Sequence, residues 1–544
     1  MKKSAFFLSI FFSVLLFLNC KNEKKPPAAV DQLGEIHTHF SGNEAALPHF
    51  EKGLKLLHNF EYDAACEAFL EAQEKDSTCV MAYWGEAMTY NHPLWRQQDY
   101  DKGQAALGKL AETPAERAAI AKTDLEKDFL QCMEIMYGPK GAKKERDSMY
   151  SKQLERMYKK YEGNEEVATF YALSLLGSVK VGRDIPTYEK GAEVVKGVLK
   201  NNPNHPGALH YLIHSYDDPG HAPKALPAAF SYSKVAADAT HALHMPSHIF
   251  VAVGMWDEVV KSNIASWNAS AEAAEKDSTS KSFGSYHALH WWAYGLLQQG
   301  RFEEAHELVS NMNQYANDKP NKRARGYLID MKGNYLAESG DWASDVANFT
   351  TKTEDLNITT QALALFLDGR VAYNEKNSQA IIDIISGIEA ARADASKLVS
   401  EEGIPMCSSS GGANRQAPNQ ADLDQAKILE LELRALLAML HGEPAKAEPF
   451  LKEATELEAA TSYSFGPPII VIPSYELYGN FLLEQGRGEE AAAQFDKALG
   501  KGPKRRLALQ GRMAAAKMMK DEAKIKELEK VLAEAEGAAK QENI

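Results

Sequence analysis

A chain of 544 residues, 44% hydrophobic and with a formal net charge of −14, is long enough to bury an extensive core and too acidic to grip nucleic acid through its phosphates. Its five cysteines, Cys20, Cys66, Cys79, Cys132 and Cys407, are too few and too widely spaced for a disulfide framework or a CxxC metal site.

The chain opens with Met1-Lys2-Lys3, an apolar run from Ala5 to Leu18, then Asn19-Cys20. That is the layout of a signal peptide, too short for a comfortable membrane span. A lone cysteine directly after the apolar run resembles a bacterial lipoprotein signal, which implies that Cys20 is lipidated and becomes the mature N-terminus. Phe17-Leu18-Asn19 is a loose version of the usual motif, and plain secretion with Cys20 unmodified is the alternative. Lys21 to Pro27 is polar and Pro-rich, a flexible tether. No second apolar run of membrane length follows, so the body is expected to be soluble, in the cell envelope and anchored to a membrane. A Cys66–Cys79 bridge is conceivable there, but Cys66, Cys79, Cys132 and Cys407 read more simply as buried small side chains.

Repeats govern the remainder. Gly53, Tyr62, Ala65, Phe69 and Ala72 form a first copy, and Met81 to Tyr90 begins the next, ended by Asn91-His92-Pro93. Thr113-Pro114-Ala115-Glu116 is a capping box that opens a long charged helix toward Met136, and residues 144–161 and 185–200 also read as amphipathic helices. Further copies carry Ser247, Gly254 and Trp256; Ala293, Gly300, Phe302 and Ala305; Gly333, Gly340 and Trp342 with a weaker second helix; and Ala435, Gly442, Ala447 and Ala454. The clearest has Gly479, Gly486, Ala491, Phe495, Ala498 and Pro503. Small residues let two helices approach, glycine ends the first helix, and proline closes the unit. The pattern resembles the tetratricopeptide repeat, and the fold class expected is an all-α solenoid of such hairpins. The stretches MAYWGEAMTYNHPLW, HPGALHYLIHSYDDPGHAP and HMPSHIFVAVGMWDE resemble a group of bacterial tetratricopeptide-repeat lipoproteins; that likeness speaks to the fold and implies no reaction.

The division expected is a signal peptide at 1–19, a tether and arm at 20–44, N-terminal repeats at 45–100, and helices without the pattern at 101–200. Central histidine-rich repeats follow at 201–400, a loop or linker at 401–423, and C-terminal repeats at 424–544. Phe465 to Pro473 reads as an ordered turn, because Ile469, Ile470, Val471 and Ile472 want burial.

Residues 205–290 hold nine of the 16 histidines, where even spreading gives roughly 2.5. Ala-Leu-His ends at His210, His244 and His290. With each turn glycine taken as position 15 of its repeat, His241, His244 and His248 occupy positions 2, 5 and 9. His287, His290 and Tyr294 hold the same places before Gly300, and Gly207, His210 and His214 one period earlier. Offsets of 3 and 7 rotate a helical residue by about 300° and 700°, so each set shares one stripe. The tetratricopeptide resemblance implies that this stripe lines a concave groove, with Asp217 and Asp330 nearby. An i, i+4 histidine pair is a two-ligand unit for zinc or copper. The candidate metal ligands are therefore His210, His214, His241, His244, His248, His287, His290 and Asp217. The alternative is that these rings only hydrogen-bond backbone, tyrosines or a bound peptide. Pro246 is expected to kink the helix or delay its start, taking His241 and His244 out of phase with His248. His205 and His221 lie in turns as secondary candidates, His37 and His39 belong to the arm, and His92 reads as structural.

Three functions are compatible with this sequence. The first is a tethered scaffold that binds a peptide or protein in its groove, helped by Trp291 and Tyr294. The second is a zinc or copper binding protein. The third, the least favoured, is a metal-dependent hydrolase with Asp217 or Asp218 as base; the chain lacks HExxH and G-x-S-x-G motifs.

Overall fold

The computed structural model describes residues 31–138, 141–179, 182–399, 417–461 and 465–536. Gln32–Ile544 forms one compact unit. The signal segment, Cys20, Cys407 and most of 401–423 lie outside the described residues.

The fold is all-α, a tetratricopeptide-type solenoid in which helices pack as hairpins on their chain neighbours. Strand structure among the described residues is one two-residue antiparallel ladder, Asn91–His92 on Gln97–Gln98. The small residues of the repeat act by close approach. A Cβ on Gly479, in the helix Ser474–Glu484, would lie 2.7 Å from the Phe495 ring of the helix Gly488–Lys501. A Cβ on Gly53, in Leu47–His58, would lie 2.8 Å from Phe69 of Tyr62–Lys75. The turn glycines Gly254, Gly300, Gly340, Gly442 and Gly486 adopt φ of 69°, 73°, 72°, 70° and 72°, the left-handed conformation that ends a helix.

Two expectations need correction. The helix foreseen from Thr113 to Met136 is two helices, Pro114–Ile120 and Asp124–Met136, because Thr123 and Glu126 form a second capping box that restarts the chain. After Gly340 the second helix shrinks to a 3-10 turn, Asp345–Asn348. Cys66, Cys79 and Cys132 are free thiols, with Cys79 and Cys132 buried. Ile470 and Val471 are buried, so the turn before Ser474 is anchored as its apolar content requires.

A simple solenoid contacts only its neighbours; this one also closes over long sequence distances. Arg505, near the C-terminal end, pairs with Glu476 at 2.6 Å and Glu338 at 2.8 Å and donates to the Tyr294 hydroxyl at 2.6 Å. The indole of Trp256 donates to the Lys504 carbonyl at 3.1 Å. At the other end the Leu47–His58 helix lies on Pro206–Ser215, and the Tyr232 hydroxyl donates to Asn59 at 2.8 Å. These contacts enclose the histidine stripe.

Candidate metal centre

Three helical segments supply the histidines. His205 caps Pro206–Ser215, its Nδ1 accepting from the Ala208 amide at 3.3 Å, and that helix carries His210 and His214 one turn apart. Pro246 does break the next helix, into Thr240–His244 and Pro246–Val253, but Met245 keeps helical angles (φ −53°, ψ −36°). Proline at the first helical position costs no hydrogen bond, so His248 stays close to His244. Tyr286–Gln298, capped by Ser285, carries His287.

Six of these rings meet in two trios. His210, His214 and His241 form one, and His244, His248 and His287 the other; within each, one ligand nitrogen per ring lies within 4.8 Å of the others. His210 Nε2 and His214 Nε2 are 3.1 Å apart, and His244 Nε2 and His248 Nε2 are 3.2 Å apart. Ligands around a tetrahedral zinc or copper ion stand about 3.3 Å from one another.

The far nitrogens decide what the near ones carry. His210 Nδ1–H donates to the His58 carbonyl at 2.7 Å, and His248 Nδ1–H donates to Asp217 Oδ2 at 2.6 Å. His244 Nδ1–H donates to Asn263 Oδ1 at 2.7 Å, while the Asn263 amide nitrogen is used on the Val259 carbonyl at 2.7 Å. In each ring the nitrogen left to face its trio is therefore Nε2. The His244 and His248 Nε2 atoms face each other at 3.2 Å. His241 Nε2 is buried without a hydrogen-bond partner. His287 Nδ1 contacts the Tyr327 hydroxyl at 3.1 Å.

Burial, reinforced by neighbouring imidazoles, lowers the pKa of His210 and His244 to about 3 and drives those of His214, His241 and His287 well below the usual histidine value. At neutral pH these rings are uncharged, the form that ligates metal.

The remaining candidates separate. Asp217 enters no trio; it is buried and orients His248 from behind. Asp218 pairs with Arg183 at 2.9 Å and accepts from His221 Nδ1 at 2.8 Å, so neither aspartate is free to serve as the base of a hydrolase. His290 is also outside the trios. Its three-residue offset from His287 is a 60° turn of the helix, enough to aim it into a separate small cavity with Asp330, Asn334 and the Pro467–Val471 segment. Burial lowers its pKa to about 4, with Asn334 opposing the shift. Trp291 and Tyr294, expected to furnish an aromatic groove, are 1% and 2% exposed and belong to the core. His92 lies 2.9 Å from the Thr89 carbonyl and stacks on Tyr62 with ring centroids 3.9 Å apart, and His37 meets Glu165 at 3.3 Å as the arm packs down.

Sequence reasoning missed a third group, His58, Glu166 and His205. His58 Nε2 lies 2.8 Å and His205 Nε2 3.3 Å from the two oxygens of Glu166, and His58 Nδ1 lies 3.0 Å from the Tyr211 hydroxyl. Burial opposes ionisation of Glu166, but the two imidazoles outweigh it and hold its pKa at about 2. Also unforeseen was Phe60, whose ring packs at a tilt against His210 at 4.3 Å and His241 at 5.6 Å while its backbone sits at φ 57°. A bulky residue rarely adopts that conformation. No repeat position marks either His58 or Phe60 as special.

No protein-family model matches the chain, and no curated protein matches it. Among solved structures it is similar to the APC/C hetero-tetramer Cut9–Hcn1 (12% identity, 86% of this chain and 76% of that one, TM-score 0.34). It is also similar to yeast Tom70 (13%, 88% and 96%, TM-score 0.33) and to the TPR domain of P58(IPK) (13%, 88% and 98%, TM-score 0.20). Likeness this distant carries nothing about function.

Proposed function

We propose that this chain binds two transition-metal ions, copper or zinc, one on each histidine trio. The observation that carries the reading is the pair His244 and His248. Asn263 and Asp217 fix both far nitrogens as donors, which turns the two Nε2 atoms toward each other at 3.2 Å in a buried site. A shared cation makes that contact a ligand pair. All-imidazole ligation suits copper and zinc and disfavours magnesium or calcium, which want oxygen. Asp217 acts by holding the His248 tautomer, not as a base.

The test is metal analysis of the purified chain beside the double variant His210→Ala/His244→Ala. Two ions per chain, lost in the variant, are expected; no stoichiometric metal at neutral pH defeats the reading.

The array of helical hairpins supports a second role in binding a protein or peptide partner. With Trp291 and Tyr294 enclosed, that partner would use surface away from the histidine stripe. The lipoprotein-like N-terminus supports a body anchored through Cys20 to an envelope membrane. Loss of detergent-phase partitioning in Cys20→Ser checks this; unchanged partitioning removes the anchor.

A further inference from the structure

Resting on the two-ion reading, we infer that the ions form one coupled pair that takes a small anion as a bridge. The two trios are not separate sites. The His214 and His248 rings, from opposite trios, are 5.8 Å apart between centroids, and His241 and His244 are 6.3 Å apart on one turn of a single short helix. Rings that close leave no layer of protein between the ions.

Each trio offers three nitrogens and no oxygen. A four-coordinate ion on three protein ligands keeps one position open. The charge balance says what fills it. Two divalent ions among neutral imidazoles bring four positive charges into a buried site, and Asp217, the carboxylate on His248, lies behind that ring, not between the ions. Excess buried charge of this size calls for a counter-anion, and one placed on both open positions neutralises both ions together. Hydroxide fills that place at rest.

The ligand must be small. Phe60, Trp95 and Trp291 wall the rings, with Trp95 5.9 Å from His241 and Trp291 4.5 Å from His248 between centroids. One ring in each trio, His241 in the first and His287 in the second, is partly open to solvent, whereas the other four are buried. Each trio thus meets solvent at the edge of a different ring of one centre.

The experiment loads the full-length chain, stripped with chelator, with Cu(II), and uses azide as the probe. Copper per chain, integrated EPR spin and the azide-to-copper charge-transfer band are recorded. The expected result is two copper ions per chain, one azide per pair, and, with azide bound, an integrated spin severalfold below that of two isolated copper ions. Two copper ions with full, azide-insensitive spin overturn the bridge while leaving the two-ion reading intact; no bound copper overturns both. His241→Gln and His287→Gln, at the partly exposed ligands, should each leave one copper with a full single-ion signal and weaken azide by about tenfold or more. Copper count and azide affinity that both match the parent in both variants also refute the pair.

Discussion

Replacing Asp217 by asparagine probes the arrangement at its most sensitive point. Asp217 and His248 are each 1% exposed at the side chain and share a hydrogen bond of 2.6 Å. The carboxylate accepts only, so His248 must carry a proton on Nδ1, and Nε2 is the nitrogen left to face a metal. Asparagine either turns its carbonyl to the ring, a weaker neutral acceptor, or turns its amide, which forces the proton onto Nε2 and blocks ligation. Loss of such an orienting partner typically weakens metal binding by about 10–100-fold, or about 1.4–2.7 kcal/mol. Asp217→Asn preserves size and shape, so the fold should survive, with unfolding of the metal-free protein shifted by no more than about 1–3 kcal/mol. The assay is competition against a chromophoric chelator, with zinc and copper titrated separately. One ion should weaken by the stated factor while the ion on His210, His214 and His241 changes far less. Affinities equal to the parent at both sites would refute the tautomer argument, and equal weakening at both would refute the assignment of Asp217 to one trio.

Phe60→Gly relieves a left-handed backbone at a cost near 1 kcal/mol in the parent, yet removes a buried ring worth about 3–5 kcal/mol. A net loss of about 2–4 kcal/mol in urea unfolding is expected, and a gain would show that the ring is not packed as described. Arg505→Ala strands the buried carboxylates of Glu338 and Glu476; a loss of about 3–5 kcal/mol in the same assay is expected, and a change within error would mean that the C-terminal closure is not held by this ion cluster. Glu166 is held at about 2 when folded, below its unfolded value, so its contribution is full above about pH 4.5 and is lost as pH falls through about 2. Stability should therefore decline below pH 4.5, and Glu166→Gln should flatten that part of the profile; an unchanged profile would contradict it.

The fold was legible because its determinants are local. Gly254, Gly300, Gly340, Gly442 and Gly486 each end a helix in the conformation only glycine adopts freely, and Gly53 and Gly479 mark helix contacts. The histidine stripe was legible too, since 3.6-residue periodicity places His210 with His214 and His244 with His248. What periodicity leaves open is which side of the stripe a three-residue step favours, hence the departure of His290 to a different cavity. Nor does it reveal contacts made far along the chain. His58, whose carbonyl sets the His210 tautomer, is 152 positions away, and Arg505 encloses Tyr294 from a distance of 211. The groove expected from repeat position became an enclosed core because those long-range contacts cover it. Pro246 shows the same limit. Its break was foreseen, but His244 and His248, on either side of it, stay in one trio, while His241, on the same short helix as His244, joins the other.

The most direct test is anomalous diffraction at the copper or zinc edge on crystals grown with the metal. Two peaks are expected, one bound by His210, His214 and His241 and the other by His244, His248 and His287. A single peak at His58, Glu166 and His205, or none near the histidine stripe, would contradict the two-ion centre.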